Sequence, residues 1–427
     1  MSIERICVVG LGYIGLPTAV LLATTQRQVF GVDVNPRVVE QLNRGHTHID
    51  EPGLGHALQQ VCAQGYLQAG AKPRAAEVFI IAVPTPVTAT HQPDLSQVQA
   101  AAESLAPVLK RGDVVILEST SPVGTTESVA AWLAQARPDL RFPHQAGEQA
   151  DVHLAYCPER VLPGRIMSEL VSNDRVIGGM TAACSARARE LYRLFVDGEC
   201  VITDVRTAEM CKLVENSFRD VNIAFANELS MLCAQQQIDV WELIRLANRH
   251  PRVNILQPGP GVGGHCIAVD PWFLIARHPE QTQLIRCART VNDTKPHWVV
   301  EQVKIAVADA LASRRQPATE LCIACLGLAF KADVADLRES PALAITEQIA
   351  TWHPGRTWVV EPNLAQLPPA LQGRAVLVDS TQALALADIM VVLVDHRQFR
   401  AITPEQVTQH WVVDTKGIWR NTGHACP

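Results

Sequence analysis

Gly259-Pro-Gly261-Val-Gly263-Gly264-His265-Cys266-Ile-Ala-Val-Asp270 places a thiol and a carboxylate at the end of a glycine-rich run. Glycines let main-chain amides approach a bound molecule closely, and a cysteine ending such a loop can be exposed, with its thiolate favoured by nearby positive charge or helix amides. That is the chemistry of a covalent nucleophile. Asp270, four residues further on, would share its helical face. The competing reading is a buried structural thiol, and the loop alone leaves both open.

A second polar constellation lies upstream. The stretch from Thr207 to about Gln236 has no internal Gly or Pro and predicts one long helix. On it Lys212, Asn216 and Arg219 or Asp220 recur at helical spacing and draw one stripe. Such a stripe can face water. A lysine and an asparagine stacked beside Leu213, Phe218, Val221 and Phe225 would also suit an alkoxide or thiohemiacetal oxyanion. Pro158-Glu159-Arg160-Val161 adds a candidate acid or base. Cys322-Ile-Ala-Cys325 has half the spacing of a zinc knuckle, but it lies in a strand-like run without a second pair, so it is read as core and no metal is expected.

The third motif is Gly10-Leu-Gly12-Tyr-Ile-Gly15, set between a predicted strand and a predicted helix, with Asp33 at the end of the next strand. Glycines there allow a tight turn and close approach of a pyrophosphate to the helix N-terminus, while the acid accepts from ribose hydroxyls and disfavours a 2′-phosphate. NAD is therefore the expected cofactor. Val83-Pro-Thr85-Pro and Glu118-Ser-Thr120-Ser-Pro-Val-Gly-Thr-Thr126 follow apolar runs and put hydroxyls beyond strand ends, where ligands bind in such sheets. Helix caps and turns would use the same hydroxyls.

These motifs need a frame. The runs Arg5 to Val9, Gln28 to Asp33, Val78 to Val83 and Val114 to Leu117, separated by helix-length segments, predict a parallel doubly wound sheet. A further helix is expected over Val240 to Asn248, then a long Gly- and Pro-rich loop, His250 to Asp270, of a kind that is often functional. Runs at Cys322 to Leu328, Thr357 to Val360, Ile389 to Val394 and Trp411 to Val413 predict a further α/β unit. The expected architecture is α/β: two Rossmann-like doubly wound domains joined by a central helical domain with one long helix. The expected limits are 1–204, 205–305 and 306–427.

With 427 residues, 48% hydrophobic and 19% charged, the chain has globular composition and several cores. A net charge of -6 gives no reason to expect nucleic acid or an anionic membrane as partner. Twelve irregularly spaced cysteines read as reduced thiols and point to the cytoplasm. Ile6 to Ala23 is nearly uncharged, but its glycines and Pro17 argue against a signal peptide or membrane span.

Taken in order, the glycine fingerprint, Lys212 to Asn216, Gly-Gly-His-Cys266-Ile-Ala-Val-Asp270 and Gly327-Leu-Ala-Phe330-Lys331-Ala-Asp-Val-Ala-Asp-Leu-Arg338-Glu-Ser-Pro resemble the UDP-glucose/GDP-mannose dehydrogenase family over nearly the whole chain. Cys-Pro-Glu159-Arg-Val-Leu-Pro163-Gly and His250-Pro-Arg252-Val-Asn are similar to its branch acting on N-acetylated sugars. The resemblance implies an NAD domain, a central dimerisation domain and a C-terminal UDP-sugar domain. It also implies a four-electron oxidation of a C6 alcohol to a carboxylate, with Cys266 forming a thiohemiacetal and then a thioester. Lys212 and Asn216 match the oxyanion-handling pair and Asp270 the carboxylate that assists water or proton transfer, with Glu159 a secondary candidate. Arg160, Val161, Arg219, His250, Arg252, Gly263, Phe330 and Lys331 match sugar-nucleotide contacts, to which Lys212 and Asn216 also belong. Gly10, Gly12, Tyr13, Ile14, Gly15, Asp33, Thr85, Thr120, Thr126 and Arg338 fall around NAD. Pro163 stands where UDP-glucose dehydrogenases usually carry a second glutamate. A homodimer and a role in bacterial surface polysaccharide synthesis, for enterobacterial common antigen or a capsule, are further implied. A single-hydride dehydrogenase with a structural Cys266, or a non-enzymatic NAD-binding protein, are the readings of other classes.

Overall fold

The computed structural model describes residues 3–314, 317–420 and the backbone of 425–426. Packing divides the chain into two compact units, Met1–Glu215 with Trp272–Arg277, and Asn216–Pro271 with His278–Pro427.

The first unit is built on strands β1 (Arg5–Val9), β2 (Gln28–Val32), β3 (Leu67–Gly70), β4 (Val78–Ile81), β5 (Val114–Leu117), β6 (His153–Tyr156), β7 (Arg175–Gly179) and β8 (Cys200–Asp204). They form one sheet in the order β3-β2-β1-β4-β5-β6-β7-β8. The first six are parallel, and β7 meets β6 antiparallel before pairing in parallel with β8. Strands β4 and β5 are buried at every position, as continuous apolar runs must be when both sheet faces are covered. One face carries a core around Ile6, Val8, Leu16 and Val78, the other a core around Cys7, Phe79, Ile81 and Val115. The order reverses between β1 and β4, the switch point at which doubly wound sheets bind nucleotides. The apolar stretch after β1 is a helix, Gly15–Thr24, of only 10 residues. It is too short to span a bilayer, which needs about 20. Among the described residues no helix is long and apolar enough to cross a membrane.

The second unit holds β9 (Cys322–Leu326), β10 (Arg356–Val360), β11 (Val376–Leu377), β12 (Ile389–Val392), β13 (Trp411–Asp414) and β14 (Ala425–Cys426), a parallel sheet ordered β11-β10-β9-β12-β13-β14. This repeats the doubly wound order of the first six strands. Cys322 and Cys325 are buried within β9, as core.

The expected long helix is Val205–Gln236, of 32 residues, and the shorter one is Val240–Ala247, capped by the Asp239 carboxylate on Trp241 N and Glu242 N. That expectation holds, and a further long helix was not foreseen. A second, Gln283–Arg314, is also 32 residues long and crosses the expected 305/306 boundary. Pro296 lies inside it, so a search for uninterrupted helical sequence passes it over. Strands β3, β6, β7, β8, β11 and β14 were not foreseen either, since they are short, glycine-containing or partly exposed.

A polar cluster is buried in the first unit. Tyr192 Oη donates to Glu118 Oε1 at 2.7 Å, and Arg175 Nη1 meets Glu159 Oε2 at 2.7 Å. Burial, opposed by the Arg175 charge, lifts Glu118 from an ordinary 4.5 to about 7. The folded protein thus holds this proton more tightly than the unfolded chain. The resulting stability is complete below pH 4.5 and is lost as pH rises through 7. Glu118→Gln should therefore flatten the fall in unfolding free energy across this range, where one such group contributes a slope of up to about 1.4 kcal/mol per pH unit. Urea unfolding at pH 5, 6 and 7 checks this.

Candidate active site

Three glycines after β1 do different work. Gly10 has φ of +92°, and a Cβ there would lie 2.6 Å from the Ala82 carbonyl oxygen. A Cβ on Gly15 would lie 1.8 Å from the Gly10 carbonyl oxygen, so packing excludes any side chain. At Gly12 a Cβ would meet nothing within 4 Å. Protein packing therefore does not require a glycine at 12, whereas a pyrophosphate drawn close to the main chain does. The helix begins at Gly15 with no side-chain cap; Leu16 N donates back to the Gly12 carbonyl at 3.1 Å, and Pro17 carries no N–H. Asp33 completes the arrangement: Oδ2 accepts from Leu11 N at 3.1 Å and Oδ1 from Asn35 N at 2.8 Å, which orients the carboxylate at the end of β2. Tyr13 is 39% exposed beside Gly12. These residues fit NAD, with Gly12 and the positive end of the helix dipole for the pyrophosphate and Asp33 for the ribose.

Of the hydroxyls expected around NAD, Thr85 Oγ donates to the Thr120 carbonyl at 2.5 Å, tying together the segments after β4 and β5. Thr126 is fully buried, and both its N–H (2.8 Å) and its hydroxyl (2.7 Å) donate to Glu209 Oε1. Glu209 Oε2 takes Gly124 N at 2.6 Å. The Thr126 side chain is thus spent on holding its turn, and Glu209, which sequence reasoning missed, is the residue that clamps it. Burial, offset by these hydrogen bonds, still holds the Glu209 carboxyl above its ordinary range.

Glu159, the secondary candidate, meets Lys212 through its main chain. Lys212 Nζ donates to the main-chain oxygen of Glu159 at 2.7 Å. The Glu159 carboxylate is occupied by Arg175 Nη1 and, at 2.6 Å, by Arg160 N. Its chemistry is that of a buried ion pair supporting a turn. The Arg160 guanidinium pairs with Glu215 at 2.7 Å, and Val161 packs beside Leu21, Ile166 and Leu170.

In the second unit Cys266 and Asp270 are joined by one helical turn, with Asp270 N donating to the Cys266 carbonyl at 2.8 Å. Asp270 opens the helix Asp270–Arg277, and its buried carboxylate accepts a short hydrogen bond from Asn216 Nδ2. Cys266 is half-buried. Burial pushes the thiols of Cys157, Cys322 and Cys325 up to about 12, and that of Cys7 to about 11, which keeps them protonated and unreactive. Ahead of Cys266, a Cβ on Gly263 would lie 2.5 Å from the Glu339 carbonyl, and one on Gly264 would lie 2.9 Å from the Phe330 ring. Gly264 N donates to the Arg338 carbonyl at 3.1 Å, while the Arg338 guanidinium pairs with Asp336 at 2.5 Å. Phe330, Lys331 and Arg338 thus lie on one loop against the glycines. Arg338 belongs to this unit, and the remaining cofactor candidates belong to the first. His250 and Arg252 are exposed on the preceding loop, with Arg252 N donating to His250 Nδ1 at 3.3 Å. On the long helix Arg219 is exposed, whereas Asp220 is fully buried in an ion pair with Arg289 at 2.6 Å, so Asp220 leaves the expected stripe.

Residues 4–196 match the NAD binding domain of the UDP-glucose/GDP-mannose dehydrogenase family, 206–294 its central domain and 324–421 its UDP binding domain. The chain belongs to this family and is an NAD-dependent oxidoreductase. It is 64% identical over 420 residues to the UDP-N-acetyl-D-mannosamine dehydrogenase of Yersinia pestis, covering 98% of this chain and 100% of that one. It is 58% identical to the NDP-N-acetyl-D-galactosaminuronic acid dehydrogenase of Ralstonia nicotianae, over 98% and 97%. Among solved structures, a UDP-D-ManNAc dehydrogenase from Pyrococcus horikoshii superposes with a TM-score of 0.84 at 39% identity, over 98% of this chain and 96% of that one.

The contrast between Gly10 and Gly12 is testable. Gly12→Val should leave the urea midpoint unchanged while weakening NAD binding by about tenfold or more, or about 1.4 kcal/mol. Gly10→Ala should instead lower the unfolding free energy by about 1–3 kcal/mol, the cost of forcing a side chain into this backbone conformation.

Proposed function

We propose that the chain oxidises C6 of UDP-N-acetyl-D-mannosamine from alcohol to carboxylate, by way of a thioester on Cys266. The chemistry is carried by one observation: the half-buried Cys266 thiol stands one helical turn from a buried carboxylate that is itself fixed by Asn216. The choice of sugar is supported by the full-length identity to the Yersinia pestis enzyme.

NAD, when bound at Gly12 and Asp33, supplies a hydride acceptor, and two equivalents are needed per substrate. The protein's part begins with the alcohol. Lys212 Nζ has donors beyond the one given to the Glu159 carbonyl, and Asn216 keeps a second amide N–H after serving Asp270. One turn apart on the same helix, they are suited to stabilising the negative charge that grows on the substrate oxygen. The aldehyde that results has no sp³ carbon to oxidise. Addition of the Cys266 sulfur forms a C–S bond, the thiol proton passes to the oxygen side, and the thiohemiacetal regains a carbon that can lose hydride. The thioester is then cleaved by water, with Asp270 taking the water's proton, so that C–S breaks and the thiol is restored. Glu159 positions Lys212 through its carbonyl rather than moving protons.

Arg160, Arg219, His250, Arg252, Phe330 and Lys331 are assigned to the sugar nucleotide, and Tyr13, Ile14, Thr85, Thr120 and Arg338 to the cofactor's surroundings. The NAD, central and UDP-sugar functions are assigned to 1–204, 205–305 and 306–427. A homodimer is supported by an exposed apolar ridge on the first long helix, Met210, Val214, Phe218, Phe225 and Leu232, with Phe218 69% exposed. A monomer in sedimentation equilibrium would remove that assignment. A cytoplasmic site and a role in making a uronic acid for a bacterial surface polysaccharide, common antigen or capsule, follow from the same reading.

NADH formed per mole of limiting UDP-N-acetylmannosamine tests the proposal, beside the N-acetylglucosamine, N-acetylgalactosamine, glucose and GDP-mannose analogues. Two equivalents with the mannosamine substrate, and a Cys266→Ser variant slowed by about a thousandfold or more, are expected. One equivalent, or an unimpaired variant, would return Cys266 to a structural role, and a stronger kcat/KM for another sugar would reassign the substrate.

A further inference from the structure

Four buried polar side chains in the second unit have no part in the chemistry above. Asp220 and Asn227, on the first long helix, are both 0% exposed, and Arg289 and Asn292, on the second, are both 1% exposed. They form an unbroken sequence of hydrogen bonds. Arg289 Nη1 donates to Asp220 Oδ1 at 2.6 Å. Asn292 Nδ2 donates to the same Asp220 oxygen at 2.8 Å and to the Asp220 carbonyl at 3.0 Å. Asn227 Nδ2 donates to Asn292 Oδ1 at 2.9 Å, and Asn227 Oδ1 accepts from Gly259 N at 2.9 Å.

The direction of each bond is forced by the one before it. Only the NH₂ side of Asn292 can face two oxygens of Asp220, so its own oxygen must face Asn227. Only the NH₂ side of Asn227 can face that oxygen, so its carbonyl must face Gly259. The ion pair thus fixes, through two amides, an acceptor at the first residue of the glycine-rich segment that ends in Cys266. The second long helix also reaches the segment directly, since a Cβ on Gly261 would lie 3.3 Å from the Asn292 carbonyl oxygen and 3.2 Å from Pro296. Stability is a poor explanation for such a chain. Apolar side chains of equal volume commonly replace buried ion pairs at no loss, whereas a defined geometry is what such groups can supply.

We propose that Asn227 and Asn292, oriented by the Asp220–Arg289 pair, are positioning residues for Cys266, acting through Gly259 to set the nucleophile loop. This rests on the covalent reading of Cys266. A loop set wrongly would leave the thiol unable to capture the aldehyde, and displacement by about 1 Å can cost about 100-fold in rate. The first oxidation would then outrun the second.

The test compares wild type, Cys266→Ser, Asn227→Ala, Asn292→Ala and Asn227→Asp in full-length enzyme with UDP-N-acetylmannosamine and NAD. It measures NADH per substrate, aldehyde trapped by hydroxylamine, KM for NAD and the rate of Cys266 alkylation by iodoacetamide. Both alanine variants should drop from two NADH toward one, release trappable aldehyde, lose about 100-fold in kcat for formation of the carboxylate product and leave KM for NAD unchanged. Asn227→Asp keeps the acceptor for Gly259 N and, when protonated, replaces the lost N–H with an O–H. It should therefore recover toward wild type as pH falls from about 8 to about 6, a rescue that filling space alone does not provide. Alanine variants that retain two NADH, with kcat within about threefold of wild type, would overturn the proposal. If Asn227→Ala does not fold, Asn292→Ala and Asn227→Asp carry the same readouts. One NADH from wild type would instead overturn the covalent reading, while the alkylation rates would still report whether the relay sets the loop.

Discussion

At Gly261, Gly263 and Gly264 the main chain runs where an added side chain would be crowded or excluded, and the arrangement of the nucleophile loop follows from that constraint. A Cβ at 263 would meet the Glu339 carbonyl, one at 264 the Phe330 ring, and one at 261 would be confined by Pro296, Pro341 and the Asn292 carbonyl. The segment is also hydrogen-bonded at both ends, from Gly259 N to Asn227 and from Gly264 N to the Arg338 carbonyl. A glycine loop free in solvent would be the most disordered part of a protein. Enclosed in this way it becomes a rigid support, and Cys266 follows it directly into the turn that carries Asp270.

The fold uses one nucleotide-binding device twice, with different outcomes. Gly10 after β1 and Gly327 after β9 have nearly equal φ, +92° and +93°, and in each case the next residue's N–H is taken by an acid at the end of the neighbouring strand. In the first unit that acid is Asp33, which also takes Asn35 N and remains part-exposed. In the second it is the buried Glu361, whose oxygens are taken by Leu328 N, Ala329 N, Asn363 and, at 3.1 Å, His396 Nε2. The backbone geometry repeats while the acid's availability does not. Asp33 suits a ribose, and Glu361 serves its own loop.

Much of this was legible from local sequence. Gly10, Gly12, Gly15 and Asp33 declare themselves because strand, turn and helix are contiguous. The turn from Cys266 to Asp270 follows from a spacing of four, and the family motifs identify Lys212 and Asn216. What escaped depended on partners distant in the chain. Nothing near Thr126 announces that Glu209 takes its hydroxyl, and nothing near Glu159 announces Arg175. Asp220 was read as sharing a stripe with Asn216, and only Arg289 shows that it turns inward. The second long helix was missed because of Pro296. The signal that would have found it is the apolar spacing of Val299, Val300, Val303, Ala306, Val307 and Ala310, all buried in the same core.

Everything in the proposed chemistry requires that Cys266, and no other cysteine, carries the substrate through its second oxidation. Asp270→Asn should slow hydrolysis of the thioester, so this variant, mixed with UDP-N-acetylmannosamine and NAD and quenched in acid, can be digested and weighed by mass spectrometry. The peptide containing Cys266 should gain the mass of the uronyl nucleotide and lose it on treatment with hydroxylamine. Turnover with Cys266 unmodified, or with the adduct on another cysteine, would contradict that requirement.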